Sequence, residues 1–272
     1  MDPVVIRPRR SSVHYWAEVW KFRELLGLLA WRDLLVRYKQ TSLGILWALL
    51  RPLLSMLILT LVFSYFGKLP SGPAPYALMV LCGLLPWQFF SAAMSESGNS
   101  LVNSSYLIAK VYFPRLIVPI SSLVPACMDF LASLGLLSGL MLFHGYAPSP
   151  NLVFLPLFIV LALAASLAMG IGLSALIARY RDIRYILPFA VQMGLFLSPV
   201  GMQTRIVPEQ FRLLYSLNPM VGIIDGFRWS ILGDAYPVAV ESVVISAVVV
   251  AVLLGAGVAY FRAIERTFAD IL

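Results

Sequence analysis

Residues 152–178 read LVFLPLFIVLALAASLAMGIGLSALIA, an apolar run that contains no Asp, Glu, Lys or Arg. A helix that spans a membrane needs about 20 apolar residues, so this run predicts a spanning helix that tilts or extends past the lipid. Comparable runs occur along the rest of the chain, and a soluble helical bundle would need polar faces that they lack. The six predicted spans are residues 43–66, 76–97, 117–143, 152–178, 185–204 and 238–261.

The composition supports the same fold class. Hydrophobic residues make up 60% of the 272 residues and charged residues 12%, about half the charged share of an ordinary globular domain. Six spans leave room for one membrane domain and exclude a second, soluble catalytic domain. We therefore predict an all-α membrane protein in three parts: a cytoplasmic tail with an amphipathic interfacial helix (1–39), a six-span transmembrane domain (40–264) and a cytoplasmic C-terminal tail (265–272).

The net charge of +7 is distributed unevenly along the chain. All but four of the 20 Lys and Arg residues precede the first apolar core, lie in the second and fourth loops, or follow the last span. The four on the opposite side are Lys68, Arg205, Arg212 and Arg228. The positive-inside rule then places both termini in the cytoplasm. The basic excess indicates topology and attraction to anionic membrane lipids, and it does not indicate a nucleic-acid partner.

Two further segments are amphipathic. In residues 13–39, Trp16, Trp20 and Trp31 recur at helical spacing among charged side chains. This pattern predicts a helix that lies in the cytoplasmic headgroup layer or packs against the protein's own spans. Residues 205–236 form a long external connection that prolines divide into two short helical pieces. Such a connection lies in the outer interface or enters the membrane as a re-entrant region between spans five and six, which needs cover from protein or a watery cavity.

Several kinds of site are missing from the sequence. No G-x-x-x-x-G-K-[ST] motif is present, so the chain itself cannot hold nucleotide phosphates. His14 and His144 fall on opposite sides of the membrane and cannot form one metal site. Asp129 lies within the third span, where exposure to lipid is costly, so it should face protein or water. We favour a structural hydrogen bond between helices over a proton or substrate site, because no second buried titratable group forms an obvious relay.

Five segments together carry a family resemblance. They are LGILWALLRPL at 43–53 after RDLLVRYKQTS, a loop at 103–114, FLSPV at 196–200, LNPM and IDGFRWSIL within 217–232, and YFRAIERTFADIL at 260–272. In this order and spacing they resemble the membrane subunit of type-2 ABC exporters for polysaccharides, the permeases for O-antigen, capsule and teichoic acid chains. The resemblance covers essentially the whole chain.

The resemblance implies a homodimeric channel of six-helix subunits in the bacterial cytoplasmic (inner) membrane, paired with two copies of a separate cytoplasmic ABC ATPase. Mg-ATP would bind that partner, so this chain would carry no cofactor and would be a transport subunit, not an enzyme. The implied substrate is a glycan on a polyprenyl-pyrophosphate lipid. Two alternatives are a drug or lipid exporter of the same architecture and an ion-coupled secondary transporter, against which the scarcity of intramembrane charges argues. A membrane enzyme would need clustered acids or histidines at one membrane face, and none is apparent.

Three groups of residues are candidate functional sites. The 103–114 loop takes the place of the family's coupling helix. This implies that the ATPase is contacted by Ser104, Ser105, Tyr106, Lys110 and Tyr112, with Glu18 and Lys21 assisting. Aromatic rings that line a glycan path, or else form an ordinary interfacial belt, are Phe63, Tyr65, Phe66, Trp87, Phe89 and Phe90. Basic side chains that hold the pyrophosphate, or else serve topology alone, are Arg37, Lys39 and Arg51.

Overall fold

The computed structural model describes residues 12–39, 44, 46–70, 72–265 and 268. Residues 1–11 of the predicted N-terminal part, most of the predicted C-terminal tail and the start of the first predicted span lie outside these residues. The described residues form helices joined by turns, with no β-strand among them. The α-helices are α1 (Ser12–Lys21), α2 (Arg23–Tyr38), α3 (Leu46–Thr60), α4 (Tyr76–Asn103), α5 (Ser105–Lys110), α6 (Ile117–Ser121), α7 (Val124–Phe143), α8 (Leu155–Arg179), α9 (Ile183–Phe196), α10 (Glu209–Ser216), α11 (Pro219–Leu232) and α12 (Val240–Ile264). A π-helical turn (Leu61–Phe66) extends α3, and short 3-10 turns cover Pro150–Phe154 and Thr204–Ile206.

Five helical segments of the described residues are long and apolar enough to cross a membrane. They are Leu46–Phe66, Tyr76–Asn103, Ile117–Phe143, Pro150–Arg179 and Val240–Ile264. These segments correspond to predicted spans one to four and six, and they make the chain an integral membrane protein. The fifth predicted span overlaps α9 (Ile183–Phe196), which has 14 residues. Such a helix rises only about 21 Å, against a hydrocarbon core of about 30 Å.

The short length of α9 follows from the sequence at its end. Pro199 lacks a backbone N–H and cannot continue a helix, so the chain leaves the helical path after Phe196. The predicted span, 185–204, extended beyond this point because it followed apolar composition alone. The difference is one of helix length, since the apolar segment itself is where the sequence places it.

The second span, α4, is the centre of the main core. In an 18-residue apolar stretch of this span, 78% of the residues are buried, whereas the corresponding share in the first span is 11%. It packs against α3, α7, α8 and α11. The contact with α8 is close at Gly170, where an added Cβ would lie only 2.5 Å from the Ser97 Oγ. The first span, in contrast, leaves most of its apolar surface uncovered by the described part of the chain.

The N-terminal helices α1 and α2 pack against the protein on one face. Tyr15 and Leu29 are buried in a second, smaller apolar core that α5, α6 and α12 also enter. The other face exposes Trp16, Trp20 and Trp31. Packing against the protein's own helices, one of the two alternatives left open by the sequence, is therefore observed, and the exposed indoles form a separate apolar face.

The connection at 205–236 folds into two short helices, α10 and α11, as its prolines predict. Asn218 caps α11 by accepting a hydrogen bond from the Met220 backbone N–H (3.0 Å), and Pro219 occupies the first turn. α11 packs against α4, α8 and α12, and most of its side chains are buried. This part of the connection therefore belongs to the main core.

Candidate functional site

A cavity of about 500 Å³ lies between the first, second and third spans, and it is called the polar cavity because about half of the residues that line it are polar or charged. The polar and charged residues that line it are Arg37, Arg51, Ser55, Gln88, Ser91, Ser95, Asp129 and Ser133. The Gln88 Nε2 donates a hydrogen bond to the Ser55 Oγ (3.4 Å). A second cavity of about 490 Å³ adjoins the first, because Arg37, Arg51 and Asp129 line both, and the two cavities together are called the polar space. The polar side chains in its walls can form hydrogen bonds with a polar solute, whereas lipid chains cannot.

An ion cluster lies where the two cavities adjoin. The Arg37 guanidinium donates hydrogen bonds to the Glu96 and Asp129 carboxylates, and the Tyr38 hydroxyl donates to Asp129. Burial alone would lower the pKa of Arg37, but the two carboxylates raise it above its ordinary value, so Arg37 stays charged. The cluster joins α2 to α4 and α7, and all three charged side chains are half-buried.

Asp129 faces protein, as its position in a span required. Its hydrogen bonds to Arg37 and Tyr38 join α7 to α2, the structural role that the sequence analysis favours. No second buried titratable group was evident in the sequence, but packing brings α4 beside α7 and places Glu96 at the same arginine. Arg37 therefore binds two carboxylates of its own chain. The cluster forms only through the packing of three helices, since its members are far apart in the sequence.

The other two basic candidates differ in position. Arg51 is exposed and lines both polar cavities, and within the described residues no acidic side chain forms an ion pair with it. Lys39 is exposed where α2 ends and lines neither cavity. Of the three, Arg51 thus presents its positive charge to the polar space most openly.

The aromatic candidates do not share one space. Phe89 lines the polar cavity and contacts Phe130, with ring centroids 5.0 Å apart. Trp87 and Phe90 line a separate apolar cavity of about 910 Å³ between α4, α8, α9 and α12. Successive residues of a helix point about 100° apart, so Phe89 and Phe90 face different spaces.

The aromatics of the first span lie elsewhere. Phe63 packs against Gly201, so close that a Cβ added there would overlap its ring. Tyr65 is 75% exposed and Phe66 is 69% exposed, and their rings contact each other at 5.3 Å between centroids. These two rings belong to the uncovered face of the first span.

The helix α5 is a small amphipathic element on the surface. It buries Ile108 in the smaller core, whereas Tyr106 is 73% exposed. The Lys110 ammonium lies 3.9 Å from the centre of the Tyr106 ring, one turn away on the same face. Tyr112 is also exposed, Ser104 is buried and Ser105 is half-buried. The structure thus presents three of the five predicted coupling residues, the two tyrosines and the lysine, at the surface.

The two assisting residues lie on α1. Lys21 is exposed and Glu18 is half-buried. α1 and α5 both enter the smaller core, through Tyr15 and Ile108 respectively. The two predicted parts of the coupling surface are therefore fixed to one common core.

Within the described part of the chain, no group of three or more His, Cys, Asp or Glu side chains is placed to hold a metal ion. Residues 24–232 match the ABC-2 type transporter family. The match includes α5 and every helix that lines the polar cavity. The chain belongs to the ABC-2 type transporter family.

Relatives cover most or nearly all of this ABC-2 chain. The O-antigen export system permease protein RfbA of Myxococcus xanthus is 29% identical over 255 residues, 93% of this chain and 97% of the relative. The protein of that description from Klebsiella pneumoniae is 25% identical over 250 residues, 92% and 95% of the two chains. The polysialic acid transport protein KpsM of Escherichia coli is 25% identical over 206 residues, 74% and 78%. These relatives confirm the resemblance to polysaccharide-export permeases.

The sequence prediction missed one buried charge of the ABC-2 chain. Arg228 of α11 is only 2% exposed. It donates hydrogen bonds to the carbonyl oxygens of Met79 (3.2 Å), Val200 (2.7 Å) and Met202 (2.8 Å). Asp225, one turn earlier, lies 3.9 Å from it. The sequence signal for this buried charge was an Asp and an Arg three residues apart within an otherwise apolar segment.

Proposed function

We propose that this chain is the membrane channel subunit of an ATP-driven ABC exporter. Its substrate is a lipid-linked polysaccharide of the O-antigen, capsule or teichoic acid type, and the membrane it serves is the bacterial inner membrane. The near full-length likeness to O-antigen export permeases supports the substrate class. The observation that carries the proposal is the polar cavity between the first three spans.

The cavity supports a glycan because of what a bare sugar chain costs in lipid. Each hydroxyl without a hydrogen-bond partner costs roughly 4–8 kcal/mol on an alkane scale. A long glycan therefore needs a polar path. Serine hydroxyls and the Gln88 amide line such a space here, and the Phe89 ring offers an apolar face to the C–H side of a sugar.

In the proposed assembly two copies of this chain enclose the path. The first span is the least covered by its own subunit, and Tyr65 and Phe66 project from it. A second copy would cover this face and bring four such rings together. Each subunit crosses the membrane six times, α9 included, with both termini in the cytoplasm and α10–α11 as the re-entrant region.

Two copies of a cytoplasmic ABC ATPase supply the energy. The chain has no phosphate-binding loop of its own. The exposed side chains of α5, Tyr106 and Lys110, with Tyr112 after it, form the contact surface on the ATPase side, and Glu18 and Lys21 extend it.

Arg51 is the proposed ligand of the substrate's pyrophosphate. It lines the polar space openly, whereas Arg37 is held by Glu96 and Asp129. A hydrogen bond to a charged group is worth about 1.5–3 kcal/mol. Arg51→Gln should therefore weaken binding of polyprenyl pyrophosphate about tenfold or more. Lys39→Gln, which removes an exposed charge outside the cavity, is the matched control, and equal losses in both variants would contradict the role of Arg51.

A drug or lipid exporter of the same architecture is the second candidate, because the apolar cavity beside Trp87 and Phe90 suits an apolar ligand. Purification of this chain from its native membrane in mild detergent, with mass spectrometry of bound proteins, tests the exporter class. We expect a soluble subunit with a phosphate-binding loop in roughly equal amount. Hydrolysis stimulated by polyprenyl-linked glycan supports the first candidate, and stimulation by free lipid alone supports the second. Repeated recovery of the chain alone would contradict both.

A further inference from the structure

The end of the last span is tied to the segment that follows α5. The Glu265 carboxylate, just after α12, accepts a hydrogen bond from the backbone N–H of Arg115 (2.9 Å). In return the Arg115 guanidinium donates to the backbone carbonyl oxygen of Glu265. The two residues are 150 positions apart in the chain. This reciprocal pair therefore connects two distant segments at one point.

The helix α1 meets the same point. Tyr15 is buried there, and the Arg262 guanidinium lies 4.9 Å from the centre of its ring. Burial and the nearby Glu265 carboxylate raise the pKa of Tyr15, so the phenol stays protonated at neutral pH. Three segments of the chain, α1, the residues after α5 and the end of α12, thus converge on one carboxylate.

An apolar cluster supports this junction. Ile108, Phe113, Leu116, Phe261 and Phe268 are all buried in the smaller core. The rings of Phe261 and Phe268 meet edge to face, with centroids 5.3 Å apart. Apolar packing resists separation but gives little direction, whereas hydrogen bonds to a carboxylate fix one geometry. Glu265 is therefore the residue that sets how the segment after α5 sits on α12.

We propose that Glu265 is a positioning residue for energy coupling. It holds the segment after α5 to the end of α12, so that displacement of α5 is transmitted to the last span and does not merely tilt α5. This inference rests on the proposed function, in which α5 is the surface that the ATPase contacts. It gives a role to residues 260–265 (YFRAIE) at the end of the last span, which belong neither to the polar cavity nor to the coupling surface.

Hydrogen exchange of the purified complex tests the junction directly. Exchange of the Arg115 amide reports the bond to Glu265, and a peptide covering residues 111–118 contains it. Glu265→Ala should accelerate this amide about tenfold or more, the factor that a hydrogen bond to a charged group represents. Glu265→Gln keeps an oxygen acceptor and should give a smaller increase. Glu241→Ala, an exposed glutamate at the other end of α12, is the matched control and should leave the peptide unchanged.

The functional measurement is the amount of glycan exported per ATP hydrolysed, with lipid-linked glycan extracted from the native membrane as substrate. In Glu265→Ala we expect hydrolysis to continue while export per ATP falls severalfold. Glu265→Gln retains the acceptor, so its export per ATP should fall less. This variant also keeps the test possible if the alanine variant does not fold. Unchanged Arg115 exchange, or faster exchange with unchanged export per ATP, would overturn the proposal. If the unaltered chain binds no ATPase, the proposed function fails, whereas the exchange result still shows whether the junction exists.

Discussion

At the level of single residues, Arg228 shows how a charge is used as internal structure. Its guanidinium satisfies carbonyl oxygens of α4 and of the turn after α9, where the helix stops and leaves acceptors without partners. Gly83 leaves room for it, since an added Cβ would lie 2.7 Å from the Arg228 Nη2. The arginine thereby fastens α11 to two other elements of the core.

We expect Arg228→Met to destabilise the protein severely, although methionine is apolar and of similar length. The Val200 and Met202 carbonyls lie outside any helix and lose their partner, whereas the Met79 carbonyl keeps its bond within α4. Each orphaned carbonyl costs roughly 1–3 kcal/mol, so the loss should be at least about 2 kcal/mol. Thermal unfolding in detergent measures it. Arg212→Met removes an exposed arginine of α10 and should change stability by no more than about 0.5 kcal/mol. Equal unfolding midpoints for the two variants would show that the buried hydrogen bonds contribute little.

Charge counting on the sequence placed Arg228 among the external cations, because the positive-inside rule contains no information on burial. The same limit applied to Arg37, a predicted pyrophosphate ligand that the fold pairs with Glu96 and Asp129. The placement of Asp129 against protein could be predicted, since a charge in a span is costly. Its partners could not be, because they come from helices whose packing the sequence pattern does not give.

At the level of elements, local chemistry predicted more than periodicity did. The prolines of the 205–236 connection mark both α10 and α11, and Asn218-Pro219 begins the second of them. Pro199 likewise marks the end of α9, but the predicted span continued past this proline because it followed apolar composition alone. For α5, the family resemblance predicted where the coupling helix lies in the chain. It did not predict which of its side chains are exposed, because that depends on the burial of Ile108 in the smaller core.

The exposed face of α5 should determine coupling. Tyr106→Ala or Lys110→Ala removes one member of the stacked pair, and truncation of a central contact residue costs more than about 1 kcal/mol at an interface. We expect roughly tenfold weaker ATPase binding and export that is uncoupled from hydrolysis, with normal membrane insertion. Arg205→Ala, an exposed arginine on another surface, is the control. Normal export in both α5 variants would remove α5 from the coupling surface.

At the level of the whole molecule, membrane class and family could be predicted from the sequence, because both depend on long-range order and composition. The match over residues 24–232 and the relatives of similar length confirm them. Which surface is left for a partner could not be predicted. Burial of α4 at the centre and the low burial of the first span, 11% against 17% for the last span, emerge only from the packed helices.

The number of crossings is the property of the whole molecule that most needs a test. The five long helices alone would put the basic N-terminal and C-terminal segments on opposite sides, against the positive-inside rule. A sixth crossing by α9 restores them to one side. Its length deficit of about 9 Å can be met by the turn after Phe196 or by local thinning of the bilayer.

Single cysteines in a cysteine-free background, labelled with a membrane-impermeant maleimide, decide the question. Arg181, before α9, and Gln210, on α10, are both exposed and suit substitution. We expect Gln210→Cys to react in intact cells because α9 separates it from the cytoplasm, and Pro70→Cys, in the first loop that the sequence predicts to be external, should react in the same way. Arg181→Cys should react only after permeabilisation, like Ala109→Cys on α5. Reaction of both test positions from the same side would mean that α9 turns back, and the two termini would then face opposite compartments.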